Sequence, residues 1–205
     1  MPSPLGHVLG GLAAGWLVAG CPPLRGRARP AAADGSHPAP GVRGRIARVL
    51  RHPTLWQSVA WFGALGMLAD IDFLAGRHSH HTHSVGAVAL VFVVVLALVG
   101  PRWWPTALAS AAAYSTHLLF DWMGNDTSAP IGILALWPFS EQFFQSRLFL
   151  FEAISRRYWL PGFWVHNLRA VAWELLILVP LVVLIARARR GRPAPDTLLA
   201  TSTSG

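Results

Sequence analysis

Apolar residues in this chain come in long runs, and most polar residues fall at the ends of those runs. Leu5 to Gly20, residues 54–75, Ser84 to Gly100, residues 103–123 and residues 169–187 each predict a helix. Five such runs predict an all-α, polytopic helical membrane protein with about five transmembrane helices. The first would be about 24 Å long, short for a hydrocarbon core of about 30 Å. Within it His7, Gly11 and Gly15 recur at helical spacing, so small residues allow close helix approach and turn His7 toward the bundle. In the second run Gly63, Gly66 and Asp70 share a face. A regular helix sets Asp72 about 200° round from Asp70, so the two carboxylates converge only if the helix loosens near Ile71. The fourth run carries Ser110, Tyr114, His117 and Asp121 at steps of four, three and four, all on one face.

The segments between the runs have their own character. Residues 21–53 are rich in Pro, Ala, Gly and Arg and predict a mobile cytoplasmic loop, with binding to anionic lipid or nucleic acid as a weaker reading. Glu141 to Trp164 is aromatic with interspersed Arg147, Arg156 and Arg157, which predicts an interfacial helix along the membrane surface. Residues 1–192 are expected to form a single membrane-embedded domain, followed by a disordered tail at 193–205. Val18-Ala19-Gly20-Cys21 is like a lipoprotein cleavage box, but the segment before the run has no basic residue, against a signal peptide.

Composition sharpens this picture. The chain is 53% hydrophobic and only 13% charged, far from the balance of an ordinary soluble domain. One cysteine, Cys21, excludes an internal disulfide framework. A net charge of +8 could point to nucleic acid, but all the basic residues are arginines set in loops between apolar runs, which suits a membrane protein better. With the Arg-rich 21–53 loop and C-terminus in the cytoplasm, the N-terminus lies outside and Arg102 inside. The histidines and aspartates at positions 7, 70, 72, 78–83, 117 and 121 then all fall at outer ends of helices. Arg147, Arg156, Arg157 and Arg169 are a mild exception to the rule on that side.

That coincidence bears on the chemistry. Asp70 and Asp72 are followed by His78, His80, His81 and His83, and His117 stands one helical turn before Asp121. A His-rich loop alone would be an interfacial stretch with adventitious metal affinity. Imidazoles and carboxylates gathered on one side of an apolar protein point instead to a site for zinc, manganese or iron. His52 and His166 read as polar interface residues, His37 as loop, Tyr114 as helix packing and Glu174 as a partner for an Arg or His on another helix.

His7, Asp70-Ile71-Asp72, the stretch His78-Ser79-His80-His81-Thr82-His83-Ser84, His117-x-x-x-Asp121 and Gly132 to Pro138 occur in an order that resembles the bacterial LexA-binding, inner-membrane-associated hydrolase family. Ala69 stands where that family usually has Pro, and Ser79-His80 where it often has Arg-Gly. The resemblance implies a membrane-bound metal-dependent hydrolase in which activated water attacks a (phospho)ester, for example a lipid-linked one. It implies His7, Asp70, His83, His117 and Asp121 as metal ligands, with Asp72 and His78 bridging or supporting them in catalysis. One or two divalent ions would serve, zinc first, with manganese or iron as alternatives. The expected location is the bacterial inner membrane, multi-pass, with the site facing the outer side. Rival readings are a metal or proton transporter using the same residues and a membrane-anchored regulatory or adaptor protein contacting partners through 21–53.

Overall fold

The structure, a computed structural model, describes residues 2–23, 41–75, 80–126 and 129–190. Among these it is all-helical, with six α-helices and no strand. They are α1 (Pro4–Ala19), α2 (Val42–Arg51), α3 (Leu55–Met67), α4 (Val85–Val99), α5 (Trp104–Trp122) and α6 (Phe163–Arg189).

Local signals set the boundaries. The Ser3 side chain caps α1 by accepting from the Gly6 amide, with Pro4 at the first turn, where its missing donor costs nothing. Thr54 and Gln57 form a reciprocal capping box at the start of α3. Ser84 caps α4 through the Ala87 amide. Helices α1 and α4 both stop at a glycine with positive φ, Gly20 and Gly100, a conformation other residues rarely adopt.

α1 is the central helix, packing on α3, α5 and α6, while α4 packs on α5 and α2 lies against α4. Contact between α1 and α3 is backbone to backbone. A Cβ on Gly66 would sit 2.2 Å from the His7 carbonyl oxygen, and one on Gly11 would sit 2.3 Å from the Phe62 carbonyl oxygen. The small-residue spacing noted above therefore does bring these two helices together, and His7 is buried in the bundle. The start of α1 is tied to α6. Glu174, buried inside α6, accepts from the Ser3 amide at 2.8 Å and from the Ser3 hydroxyl. The far end is tied as well, by Cys21 N–H to Arg189 O and Arg189 to Val18 O. Outward faces are apolar: Leu90 and Val93 on α4 and Leu176 and Leu184 on α6 are among the most exposed residues.

By length and composition, one described helix, α6, could cross a membrane. α1 and α4 are apolar but shorter, at 16 and 15 residues. The five apolar runs thus become five helices, of which one is both long and apolar enough to span. Two expectations need correction. Glu141 to Trp164 contains no interfacial helix: up to Gly162 it is irregular. Its amides and carbonyls are used across the chain, as in Ser146 N–H to Trp122 O, Leu150 N–H to Met123 O and Asn125 N–H to Phe151 O, so they cannot close helical turns. The amphipathic helix occurs instead as α2, within the loop expected to lack periodicity. The rest of that loop, 24–40, and the tail at 193–205 lie outside the described residues.

The Ser3–Glu174 tie predicts a loss of stability. Glu174→Ala leaves buried Ser3 donors unmatched, and hydrogen bonds to a charged group are worth roughly 1.5–3 kcal/mol. Thermal unfolding in detergent should show a lowered midpoint for Glu174→Ala and a smaller change for Glu174→Gln; equal midpoints for Glu174→Ala and the parent would refute the tie.

Candidate metal centre

Five ionisable side chains from four segments meet at one end of the bundle. His7 comes from the first two turns of α1 and His117 and Asp121 from the last turns of α5. Asp70 lies on a 3₁₀ segment, Leu68–Ala75, that continues α3, and His83 on a short 3₁₀ turn, His81–His83, that leads into α4.

The 3₁₀ segment answers the question of Asp70 and Asp72. Regular α geometry does end there, by tightening rather than loosening. A 3₁₀ helix has three residues per turn, so the angle between positions two apart narrows from about 160° to about 120° the short way round. His83 can then bridge the pair. Its Nε2 lies 3.9 Å from Asp70 Oδ1 and its Nδ1 lies 3.2 Å from Asp72 Oδ2.

The inner atoms are close to one another. His83 Nε2 lies 3.2 Å from Asp121 Oδ2, and His117 Nε2 lies 3.3 Å from the same oxygen and 3.5 Å from Asp70 Oδ1. Four donor atoms therefore stand 3.2–3.9 Å apart along four of their six edges. A tetrahedral ion with bonds of about 2.0–2.1 Å holds its donors about 3.3–3.4 Å apart, and the His83–Asp121, His117–Asp121 and His117–Asp70 pairs are close to that spacing. His117 Nε2 and both Asp121 oxygens are buried without a hydrogen-bond partner among the described residues, although oppositely charged groups surround them. Orphaned buried acceptors are costly, and an ion would satisfy them together.

The outer shell has the form metal-binding histidines require. His117 Nδ1 lies 2.7 Å from the Gly66 carbonyl oxygen, so that nitrogen carries the proton and Nε2 presents its lone pair inward. Asp72 does the same service for His83, helped by Thr82 Oγ1 at 3.1 Å from Nδ1. The Tyr114 hydroxyl donates to the Thr82 carbonyl oxygen at 2.5 Å, holding the His83 turn against α5. His7 stacks on His117, with ring centroids 3.8 Å apart, and its Nε2 is 3.4 Å from Asp121 Oδ1. Two triads could each hold an ion, His7–His117–Asp121 and Asp70–His83–His117. They share His117, whose single inward lone pair can bind only one.

Of the residues singled out from sequence, His7, Asp70, His83, His117 and Asp121 come together, with Asp72 directly behind His83. His78 lies outside the described residues. His81 packs edge-on against Trp137 and His80 against Phe143, away from the cluster. His52 is at the other end of the bundle, edge-on to Trp103, and His166 contacts Ala153 O and Glu152. Sequence reasoning missed the Gly66 carbonyl and Thr82. A backbone carbonyl has no residue-type signature, but the run of small residues ending at Gly66 was the available sign of close approach.

His83 makes metal uptake pH-dependent. Burial works against its charged form, but the Asp121 and Asp72 carboxylates outweigh burial and raise its pKa above the ordinary value. Its protonated form is therefore favoured over that of an ordinary imidazole, and a ligand nitrogen must give that proton up to bind metal. Affinity should rise with pH until the pH passes the raised pKa. Calorimetric titration with Zn²⁺ in two buffers of different ionisation enthalpy should give heats that differ by the released proton; identical heats would count against it.

The sequence matches the model of the YdjM inner membrane protein family over residues 1–192. No curated protein and no solved structure matches it. The match spans every helix described above and is to the family that the ordered His and Asp motifs resemble. This chain belongs to the YdjM inner membrane protein family.

Proposed function

We propose that this protein is a multi-pass inner-membrane hydrolase that uses a divalent metal ion, zinc in the first instance, to cleave an ester or phosphoester at the outer face of the membrane. The observation that carries the reading is the convergence of Asp70, His83, His117 and Asp121 donor atoms from separate segments, with neighbouring atoms 3.2–3.9 Å apart. A divalent ion bound there supplies Lewis acidity toward a carbonyl or phosphoryl oxygen and lowers the pKa of water.

The chain's own residues do the rest. Asp72 and the Gly66 carbonyl fix the tautomers of His83 and His117. Asp70 is the most accessible member, its side chain 25% exposed where His83, His117 and Asp121 are closed off. Substrate therefore approaches past Asp70; an ion held by His83, His117 and Asp121 would keep its remaining position for water, with the Asp70 carboxylate at that edge as the proton acceptor. His7 holds the outer oxygen of Asp121, and a second ion would have to be built on that oxygen and His7.

Arginine placement supports the outward orientation. Arg43, Arg45, Arg48 and Arg51 on α2 and Arg187, Arg189 and Arg190 at the end of α6 are at the opposite end of the bundle from the metal centre. A site at helix ends suits a substrate drawn from the membrane surface, such as a lipid-linked phosphoester, better than a permeation path. Below the site α1 and α3 are in backbone contact at Gly11 and Gly66, which leaves no passage between them.

Elemental analysis of the detergent-purified protein should find bound Zn, Mn or Fe, and the double variant His83→Ala/His117→Ala should lose it; metal content unchanged in that variant would reject the centre. Asp72→Ala should weaken metal affinity about 10–100-fold, as outer-sphere partners of metal-binding histidines do. A panel of ester and phosphoester substrates should show turnover that a chelator removes and His117→Ala abolishes. Metal bound without turnover of any ester would sink the hydrolase reading and leave the centre intact.

A further inference from the structure

Helix α2 has three distinct faces. Ala47 and Leu50 are buried, with Arg43 and Arg51 on the same side donating to the Ala97 and Val99 carbonyls at the end of α4. Val42, Ile46 and Val49 form a second stripe within about 60° of one another and are exposed, Val42 at 75%. Arg45 and Arg48 fall between, about 60–120° round from that stripe, and are also exposed. A helix that lies in a membrane interface needs this arrangement: one face to protein, one to hydrocarbon, one to headgroups.

Next to it is a cavity of about 410 Å³, far from the metal centre, between the end of α1, the end of α2 and the start of α3. Cys21, Leu50, Arg51, Ser58, Trp61 and Phe62 are among the residues that line it, and Val49 belongs both to the cavity wall and to the exposed stripe. Charge at this end is one-sided. Arg43, Arg45, Arg48, Arg51, Arg102, Arg187, Arg189 and Arg190 gather here. The described carboxylates Asp70, Asp72, Asp121, Asp126, Glu141 and Glu152 belong to other segments, and Glu174, on α6, is bonded to Ser3 at the opposite end of α1. Exposed Trp56 and Trp104 mark the same level, as aromatic residues do at a membrane–water boundary.

We infer that α2 and this cavity form a binding site for one anionic phospholipid, with an acyl chain in the cavity and the phosphate on the Arg45–Arg48 face. Occupancy does not depend on the metal centre or on hydrolysis, only on this end lying in a membrane.

Cys21, the sole cysteine in the sequence, lines the cavity and reports on it. The protein would be placed in nanodiscs of phosphatidylcholine alone or of phosphatidylcholine with phosphatidylglycerol, and its alkylation by N-ethylmaleimide followed. Phosphatidylglycerol should slow alkylation, and the R45Q/R48Q variant should remove the difference. Native mass spectrometry of protein released from mixed nanodiscs gives the second measurement. Phosphatidylglycerol should be retained over phosphatidylcholine, by roughly fivefold for each arginine engaged, and the preference should vanish in R45Q/R48Q. Equal retention of the two lipids, or a preference that survives R45Q/R48Q, overturns the assignment, whether or not Cys21 reacts.

Discussion

Carboxylates and imidazoles buried at the end of an apolar bundle constrain everything around them. Asp121 is almost fully buried, and both its oxygens face histidine nitrogens without forming hydrogen bonds. A carboxylate so placed is unfavourable by several kcal/mol unless positive charge compensates it. Nearby arginine does not provide that charge; the described arginines are elsewhere. The His7, His83 and His117 nitrogens around it are placed to do so when protonated, and the same donors are grouped closely enough that they could hold a metal ion instead.

That arrangement rests on how closely α1 and α3 approach. With Gly11 and Gly66 in backbone contact, the Gly66 carbonyl is left at the level of His117 and can orient its ring. The same approach brings His7 beside His117, while Glu174 and Ser3 keep the start of α1 from fraying. The support of the site is therefore largely backbone and small residues, with the Asp72 carboxylate behind His83.

The molecule is polarised along its long axis. One end has acids, histidines and an irregular covering segment, residues 129–162, whose backbone pairs with the ends of α4 and α5. The other has arginines, exposed tryptophans and the amphipathic α2. Membership of an inner membrane protein family fits the exposed apolar side chains of α4 and α6 that lie between the two ends.

Much of this was legible along the chain, because it depends on local periodicity. Helical spacing alone put Tyr114, His117 and Asp121 on one buried face of α5, and glycine spacing alone announced the approach of α1 to α3. The irregular covering segment and α2 were misread for the same reason in opposite senses. Aromatic and arginine content mimics an interfacial helix when the backbone partners lie elsewhere, and a ten-residue helix is hard to see inside a Pro- and Gly-rich stretch. Which histidine of 78–83 faces the cluster, and whether Asp72 binds or supports, depend on the 3₁₀ segment after α3 and on the turn before α4. Those are distances between segments far apart in the chain, and only packing sets them.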